Sequence, residues 1–206
     1  MIISTNNSGD RTFFGDNWPN RAHHWLPGID HPSDKATLAF QVTAPEHYQV
    51  IGTGQLIEES NLDGQRKYYH WKTDRLLPLK VAVIGAAPFA IAYTGDVDGI
   101  PVSSWVFPEQ RNSGFEKYYP AKDILAFFHE HLAPYPYEKL ANVQSKTRYG
   151  GMENAGNIFY YEKSTYPDAD VEGLLAHEIA HQWFGNTASE KNWYHVWLSE
   201  GFATYF

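Results

Sequence analysis

Two histidines four residues apart, His177 and His181, enclose Glu178-Ile179-Ala180. On a helix that spacing puts both imidazoles on one face, one turn apart, so that two ring nitrogens can converge on a single ion. Glu178 projects about a hundred degrees away from His177, where its carboxylate would meet a water on the ion and act as a general base. A zinc site that does chemistry usually takes three protein ligands and keeps a fourth position open. Glu200, in Trp197-Leu198-Ser199-Glu200-Gly201, supplies the third donor after an 18-residue gap (182–199). Gly185-Asn186 lets the chain turn back between the two ligand-bearing helices. Two neutral imidazoles with one carboxylate suit one Zn²⁺ ion, which is borderline-soft and undemanding in geometry.

The elements that must position these residues differ between the two halves of the chain. In the first half, Thr37 to Thr43 alternates Leu38, Phe40 and Val42 against Thr37, Gln41 and Thr43, as a half-buried strand requires. Residues 48–51, 67–71, 81–84, 89–93 and 101–107 read as further strands, punctuated by Gly52, Gly54, Asn61, Asp63 and Gly64. An antiparallel sheet or sandwich is expected there, with no helix before about Ser113. The second half carries helical spacing over 120–132, with Ile124, Phe128 and Leu132 on one stripe and Pro134 and Pro136 beyond its end. Short strands are expected near 140–144 and 157–161. A helix opening on Asp170-Val171-Glu172 and running to Phe184 carries the histidines, and one over 193–206 carries Glu200. The fold class expected is α+β, with a division at 107/108 between a β portion (1–107) and the portion that carries the site (108–206).

The run His177-Glu178-Ile179-Ala180-His181-Gln182-Trp183-Phe184-Gly185-Asn186, the 18-residue gap, and Trp197-Leu198-Ser199-Glu200-Gly201-Phe202-Ala203 resemble the zinc site of the M1 family of aminopeptidases, which are gluzincins. Gly151-Met152-Glu153-Asn154, upstream, resembles that family's exopeptidase signature, and Trp25 to Ala36 is similar to part of its N-terminal β-domain. The resemblance implies the later part of that β-domain followed by the first part of a thermolysin-like zinc metallopeptidase domain. It implies His177, His181 and Glu200 as zinc ligands and Glu178 as general base. It also implies Glu153 as the anion for a substrate's free α-ammonium, with Gly150, Gly151, Met152 and Asn154 at the edge where the peptide backbone docks. A carboxylate held at a fixed distance from the metal selects a charged N-terminus and lets only the first peptide bond reach the activated water. The family's oxyanion tyrosine stands several tens of positions beyond the third ligand, so none here matches it by motif, and such a loss typically costs a hundredfold or more in rate. The expected activity is therefore zinc-dependent removal of N-terminal residues from peptides. The alternatives are a zinc-binding fragment with little activity and a thermolysin-like endopeptidase, which shares the two histidines and a downstream glutamate.

Composition narrows the rest. With 16 Lys plus Arg against 24 Asp plus Glu, net −8, there is no basic stripe for a phosphate backbone, and nucleic acid is not an expected partner. The absence of Cys excludes disulfides, thiolate ligands and Cys nucleophiles, and leaves the compartment undetermined. The longest apolar stretch, 81–93, falls short of the roughly 20 residues of a membrane span and is broken by Gly85 and Pro88. There is no Gly-x-Ser-x-Gly, and Gly52-Thr53-Gly54 lacks the rest of a dinucleotide fingerprint. His129 and His131, two apart, face different sides of a helix, and His23, His24 and His31 sit among turn formers, so none of the five is expected to bind metal. The pairs Tyr68-Tyr69, Tyr118-Tyr119 and Tyr160-Tyr161 read as core and sheet faces, with Tyr160 and Tyr161 close enough to Glu153 to wall a pocket.

Overall fold

The computed structural model describes residues 1–206. The chain opens with a hairpin, β1 (Ile2–Thr5) and β2 (Arg11–Phe14), followed by a 3₁₀ turn at Ala22–His24. Next come β3 (Lys35–Pro45), β4 (Gln49–Gly52), β5 (Gln55–Leu62) and β6 (Arg66–Pro78). A 3₁₀ turn at Leu79–Val81 leads to β7 (Ile84–Ala87), β8 (Ala90–Val97) and β9 (Ile100–Val106). The helices α1 (Arg111–Tyr118) and α2 (Ala121–His131) precede β10 (Leu140–Ser145) and β11 (Asn157–Tyr161), and α3 (Glu172–Ala180) and α4 (Val196–Tyr205) end the chain.

Two sheets are antiparallel, in the orders β1-β2-β7-β4 and β3-β6-β5. The third, β11-β10-β9-β8, is mixed: β9 pairs antiparallel with β8 through the two-residue turn Asp98-Gly99, while β9, β10 and β11 run parallel. Asp98 and Gly99 both take the left-handed conformation, at φ 51° and 81°, which gives a two-residue hairpin the twist its strands need. Parallel pairing was not expected from the sequence. Between β9 and β10 it arises because the connection carries α1 and α2 across one face of the sheet, as a parallel crossover requires, whereas residues 146–156 return the chain to β11 without a helix.

The mixed sheet is covered on both faces around β10, buried at every position, and β11, buried at all but its last, while β8 at the other edge keeps Ile91 and Tyr93 exposed. Leu140 of β10, Val102 and Val106 of β9 and Ile158 and Tyr160 of β11 pack with Leu125 and Phe128 of α2 and Leu175 and Ile179 of α3. Ala141, Val143 and Phe159 point the other way, into a core shared with Phe14, Val50, Ile51 and Trp71 of the antiparallel strands. The division expected at 107/108 therefore falls between β9 and α1, while the β9–β10 ladder carries one hydrogen-bonded sheet across it. The stripe expected on α2 is rotated: Ala121, Leu125 and Phe128 are its fully buried residues, and Ile124 and Leu132 pack at the margin. The hairpin β1–β2 and strand β5 have no counterpart in the sequence-based elements. β5 shows why, since nearly all its side chains are exposed and it carries no alternation to read.

The expected helix 170–184 ends at Ala180, and residues 181–186 form a reversing turn. The Asn186 N–H donates to the His181 carbonyl and the Ala188 N–H to that of Trp183, around Gly185 at φ 111°. The expected helix 193–206 begins as a 3₁₀ turn over Trp193–His195, capped by the Asn192 side chain accepting from the Tyr194 N–H, and continues as α4. No helix is long and apolar enough to cross a membrane.

Candidate metal centre

The geometry follows from the two helices and the turn between them. His177 sits in the last turn of α3 and His181 caps it, so their Nε2 atoms meet 3.0 Å apart with the rings perpendicular. α4 brings Glu200 across this face, and its Oε2 lies 3.5 Å from His177 Nε2 and 3.4 Å from His181 Nε2. Ligands about 2.0–2.1 Å from a tetrahedral ion stand about 3.3–3.4 Å from one another. The three donor atoms thus already outline one face of the tetrahedron that a small dication needs. His181 Nδ1 donates to the Phe184 carbonyl at 2.9 Å, which fixes a proton on Nδ1 and turns Nε2 toward the other two donor atoms.

Glu178 lies on the adjacent face of α3, 5% exposed, with its carboxylate against the backbone of Gly151. A Cβ at Gly151 would stand 2.2 Å from Glu178 Oε1, so that backbone position is open only to glycine while Glu178 keeps its place. The 150–152 segment runs as an edge along β11: the Tyr161 N–H donates to the Gly150 carbonyl and the Phe159 N–H to that of Met152. Glu153 follows, 5% exposed, with a buried Oε1 that has no hydrogen-bond partner. Its own carbonyl accepts from Gln182 Nε2 at 3.0 Å and from Asn186 Nδ2, and Gln182 Oε1 accepts the Gly156 N–H at 2.9 Å. The Gln182 amide therefore locks the glutamate-bearing turn to the histidine helix.

These groups share one cavity of about 260 Å³. It is lined by Gly150, Gly151, Met152, Glu153, His177, Glu178, His181 and Glu200, with Trp18, Tyr149 and Leu174 as walls. Every predicted site residue lies on it except Asn154, whose buried side chain donates to the Met152 carbonyl at 3.4 Å and shapes the turn from behind. Of the two tyrosines expected near the pocket, Tyr160 is fully buried beneath it and bonds Asn142 Oδ1, and Tyr161 is partly exposed outside the lining. Trp18, Gln182 and Asn186 were not predicted as site residues. Gln182 and Asn186 lie within the histidine run, where their polarity at buried positions was the available signal. Trp18 comes from the loop after β2 and carried none.

The electrostatics of the cavity are lopsided. Three carboxylates, Glu153, Glu178 and Glu200, face two imidazoles, and no Lys or Arg lines the space. Burial pushes the Glu178 carboxyl up to about 8, with the Glu153 and Glu200 charges adding to the rise and His181 opposing it. Burial pulls His181 down, but the hydrogen bond it donates to the Glu200 carboxylate and the charges of Glu153 and Glu178 outweigh it and raise the imidazole to about 9. Glu200, hydrogen-bonded to His177 and His181, is held well below the usual carboxylate range. A buried site with this excess of anions is stabilised by cationic guests.

Comparison with known proteins agrees along the length of the chain. The model of the peptidase family M1 domain matches residues 117–206, and that of the peptidase M1 N-terminal domain matches residues 4–78. Human glutamyl aminopeptidase is 28% identical over 207 residues, an alignment that covers 93% of this chain and 21% of the relative. Aminopeptidase M1 of Arabidopsis thaliana is 28% identical over 91% of the chain and 22% of its own length. Aminopeptidase M1-A of Oryza sativa subsp. japonica is 31% identical with the same two coverages. The chain spans about a fifth of the length of these curated relatives. With one M1 model on the β-rich first part and another on the helices that carry both histidines and Glu200, the chain belongs to peptidase family M1.

Proposed function

We propose that the chain carries the metal and substrate-ammonium sites of a zinc-dependent aminopeptidase that hydrolyses the first peptide bond of peptides with a free N-terminus. The observation that carries this is the single cavity in which two imidazoles and three carboxylates converge without a Lys or Arg. One cation fits the His177–His181–Glu200 face, and a second positive group, the substrate's α-ammonium, fits the unpartnered buried oxygen of Glu153. His177 and His181 through Nε2 and Glu200 through Oε2 would hold the zinc, whose Lewis acidity would acidify water and polarise the scissile carbonyl.

The chain's own residues do the rest. Glu178 takes a proton from the attacking water and hands it to the departing amine, so that the carbonyl carbon gains the hydroxyl as the C–N bond breaks. With a dication beside it, its carboxyl returns from its raised value toward the ionised form that a base needs. Glu153 fixes the N-terminus, so only the first peptide bond comes within reach of Glu178. The 150–152 edge offers backbone groups to an extended substrate, and Trp18, Tyr149 and Leu174 close the cavity around its first side chain. In this reading the peptidase portion begins with β8, the first strand of the mixed sheet, in the stretch 79–116 that lies between the two family matches.

Metal analysis of the purified full-length protein is expected to find one zinc ion, and Glu178→Gln to abolish turnover with the zinc retained. Peptides with a free N-terminus should be cleaved and their N-acetylated forms spared. Absence of zinc refutes the metal assignment, and equal cleavage of acetylated peptides refutes the role of Glu153.

A further inference from the structure

One buried ion pair lies outside the cavity. Lys80 Nζ reaches both carboxylate oxygens of Glu190, at 3.0 and 2.8 Å, and the two side chains are 1% and 2% exposed. Lys80 Nζ also stands 5.0 Å over the Trp18 ring, and Trp18 meets Trp193 edge to face at 5.7 Å. Burying two charges costs about as much as their attraction returns, so the pair is weak evidence for stability, and its informative feature is which segments it joins.

Glu190 lies midway in sequence between His181, the C-cap of α3, and Glu200 in the middle of α4, on the connector between the two helices. Lys80 belongs to the 79–82 turn, which Asn17 fixes by donating to the Leu79 and Ala82 carbonyls at 2.8 and 2.7 Å. The same turn accepts the Ala155 N–H on the Val81 carbonyl at 2.9 Å, just past Glu153. A second lysine from the β portion, Lys35, donates to the Thr187 carbonyl at 2.8 Å, at the start of the connector. The connector is thus gripped from the β-rich side at 187, 190 and 193, while its other end delivers Glu200.

We propose that Lys80, acting through Glu190, is a positioning residue for the metal centre. It sets the connector so that Glu200 closes the triangle with His177 and His181, and it makes the β portion a determinant of metal affinity. This rests on the reading of those three residues as zinc ligands.

The test is zinc affinity, read by competition with a chromophoric chelator in the full-length protein at a temperature well below its transition, beside the Tm of the metal-free form. Lys80→Met leaves a buried unpaired carboxylate and is expected to lower both. Lys80→Met combined with Glu190→Met removes both charges, so no uncompensated charge remains to unfold the chain. The double variant should stay folded and bind zinc about tenfold more weakly, the lower end of what outer-shell partners contribute. In its cobalt-substituted form the visible absorption should change, because Glu200 no longer sits squarely on the ion. A folded double variant that binds zinc as tightly as the parent, with an unchanged cobalt spectrum, overturns the proposal. So does a variant whose Tm falls while its folded fraction keeps the parent affinity, since that is a purely structural role. If the parent itself binds no zinc, it is the ligand assignment that fails.

Discussion

Substituting Gly151 by Ala tests the contact on which the placement of Glu178 depends. The added Cβ would stand 2.2 Å from Glu178 Oε1, 2.4 Å from its Cδ and 2.6 Å from its Cγ, and ordinary contact begins at 3.4 Å. Gly151 does not adopt a left-handed φ, so the backbone tolerates alanine and the whole cost falls on the glutamate. The carboxylate must retreat by about 1.2 Å, and a misplacement of about 1 Å at a reacting group costs about a hundredfold in rate. That corresponds to about 2.7 kcal/mol of barrier. Gly173, on α3 and outside the cavity, is the control: a Cβ there would meet nothing within 4 Å. Steady-state kinetics on a free N-terminal peptide, with zinc content measured in parallel, should show kcat about a hundredfold lower in Gly151→Ala, little changed in Gly173→Ala, and zinc unchanged in both. If Gly151→Ala keeps kcat within about threefold of the parent, or if both glycines respond alike, Glu178 is not the base this contact holds in place.

Three further outcomes are expected. In metal-free protein, Glu178 is raised from 4.5 to about 8 and His181 from 6.5 to about 9, so these two groups hold more protons in the folded state than in the unfolded one between those limits. The Tm of this form should fall as pH rises from about 5 to about 8, above which Lys139, lowered to about 7 by burial, has lost its proton in the folded state and offsets His181. Saturating zinc should remove the His181 part of the fall by occupying Nε2. Gln182→Ala strips the Gly156 N–H of its partner and the Glu153 carbonyl of one of two, and should cost about 2–4 kcal/mol in a urea titration while raising KM for free N-terminal peptides. Gly54→Ala places a Cβ 2.2 Å from the Lys72 carbonyl oxygen at a residue with φ 93°, and should lower stability by roughly 2–4 kcal/mol in the same titration.

What could be read in the sequence and what could not divides along a physical line. The His177–His181 pair lies within one helical turn, so its spacing alone sets the geometry, and the Glu178 direction comes with it. The alternation in β3, the end of α2 ahead of Pro134, the reversal of the chain at Gly185-Asn186 and the glycine-rich stretch at 150–151 are likewise local. The parallel pairing of β9, β10 and β11 was hidden because a strand buried on both faces has no alternation, so β10 gives no sign of which neighbours it takes. The α2 stripe was rotated because the helix packs against both α3 and the mixed sheet, and the facing surfaces choose which residues go inside.

The sequence by itself determined the chemistry available: two imidazoles and a carboxylate at spacings that allow one ion, a second carboxylate, Glu178, beside them, and a third in a glycine-rich turn. The tertiary structure decided that all of these share one cavity free of Lys and Arg, that Trp18 walls it, and that Lys80 meets Glu190. Those contacts join segments far apart in the chain. Local spacing carries no information about them, because they exist only once the two cores have packed on opposite faces of the mixed sheet.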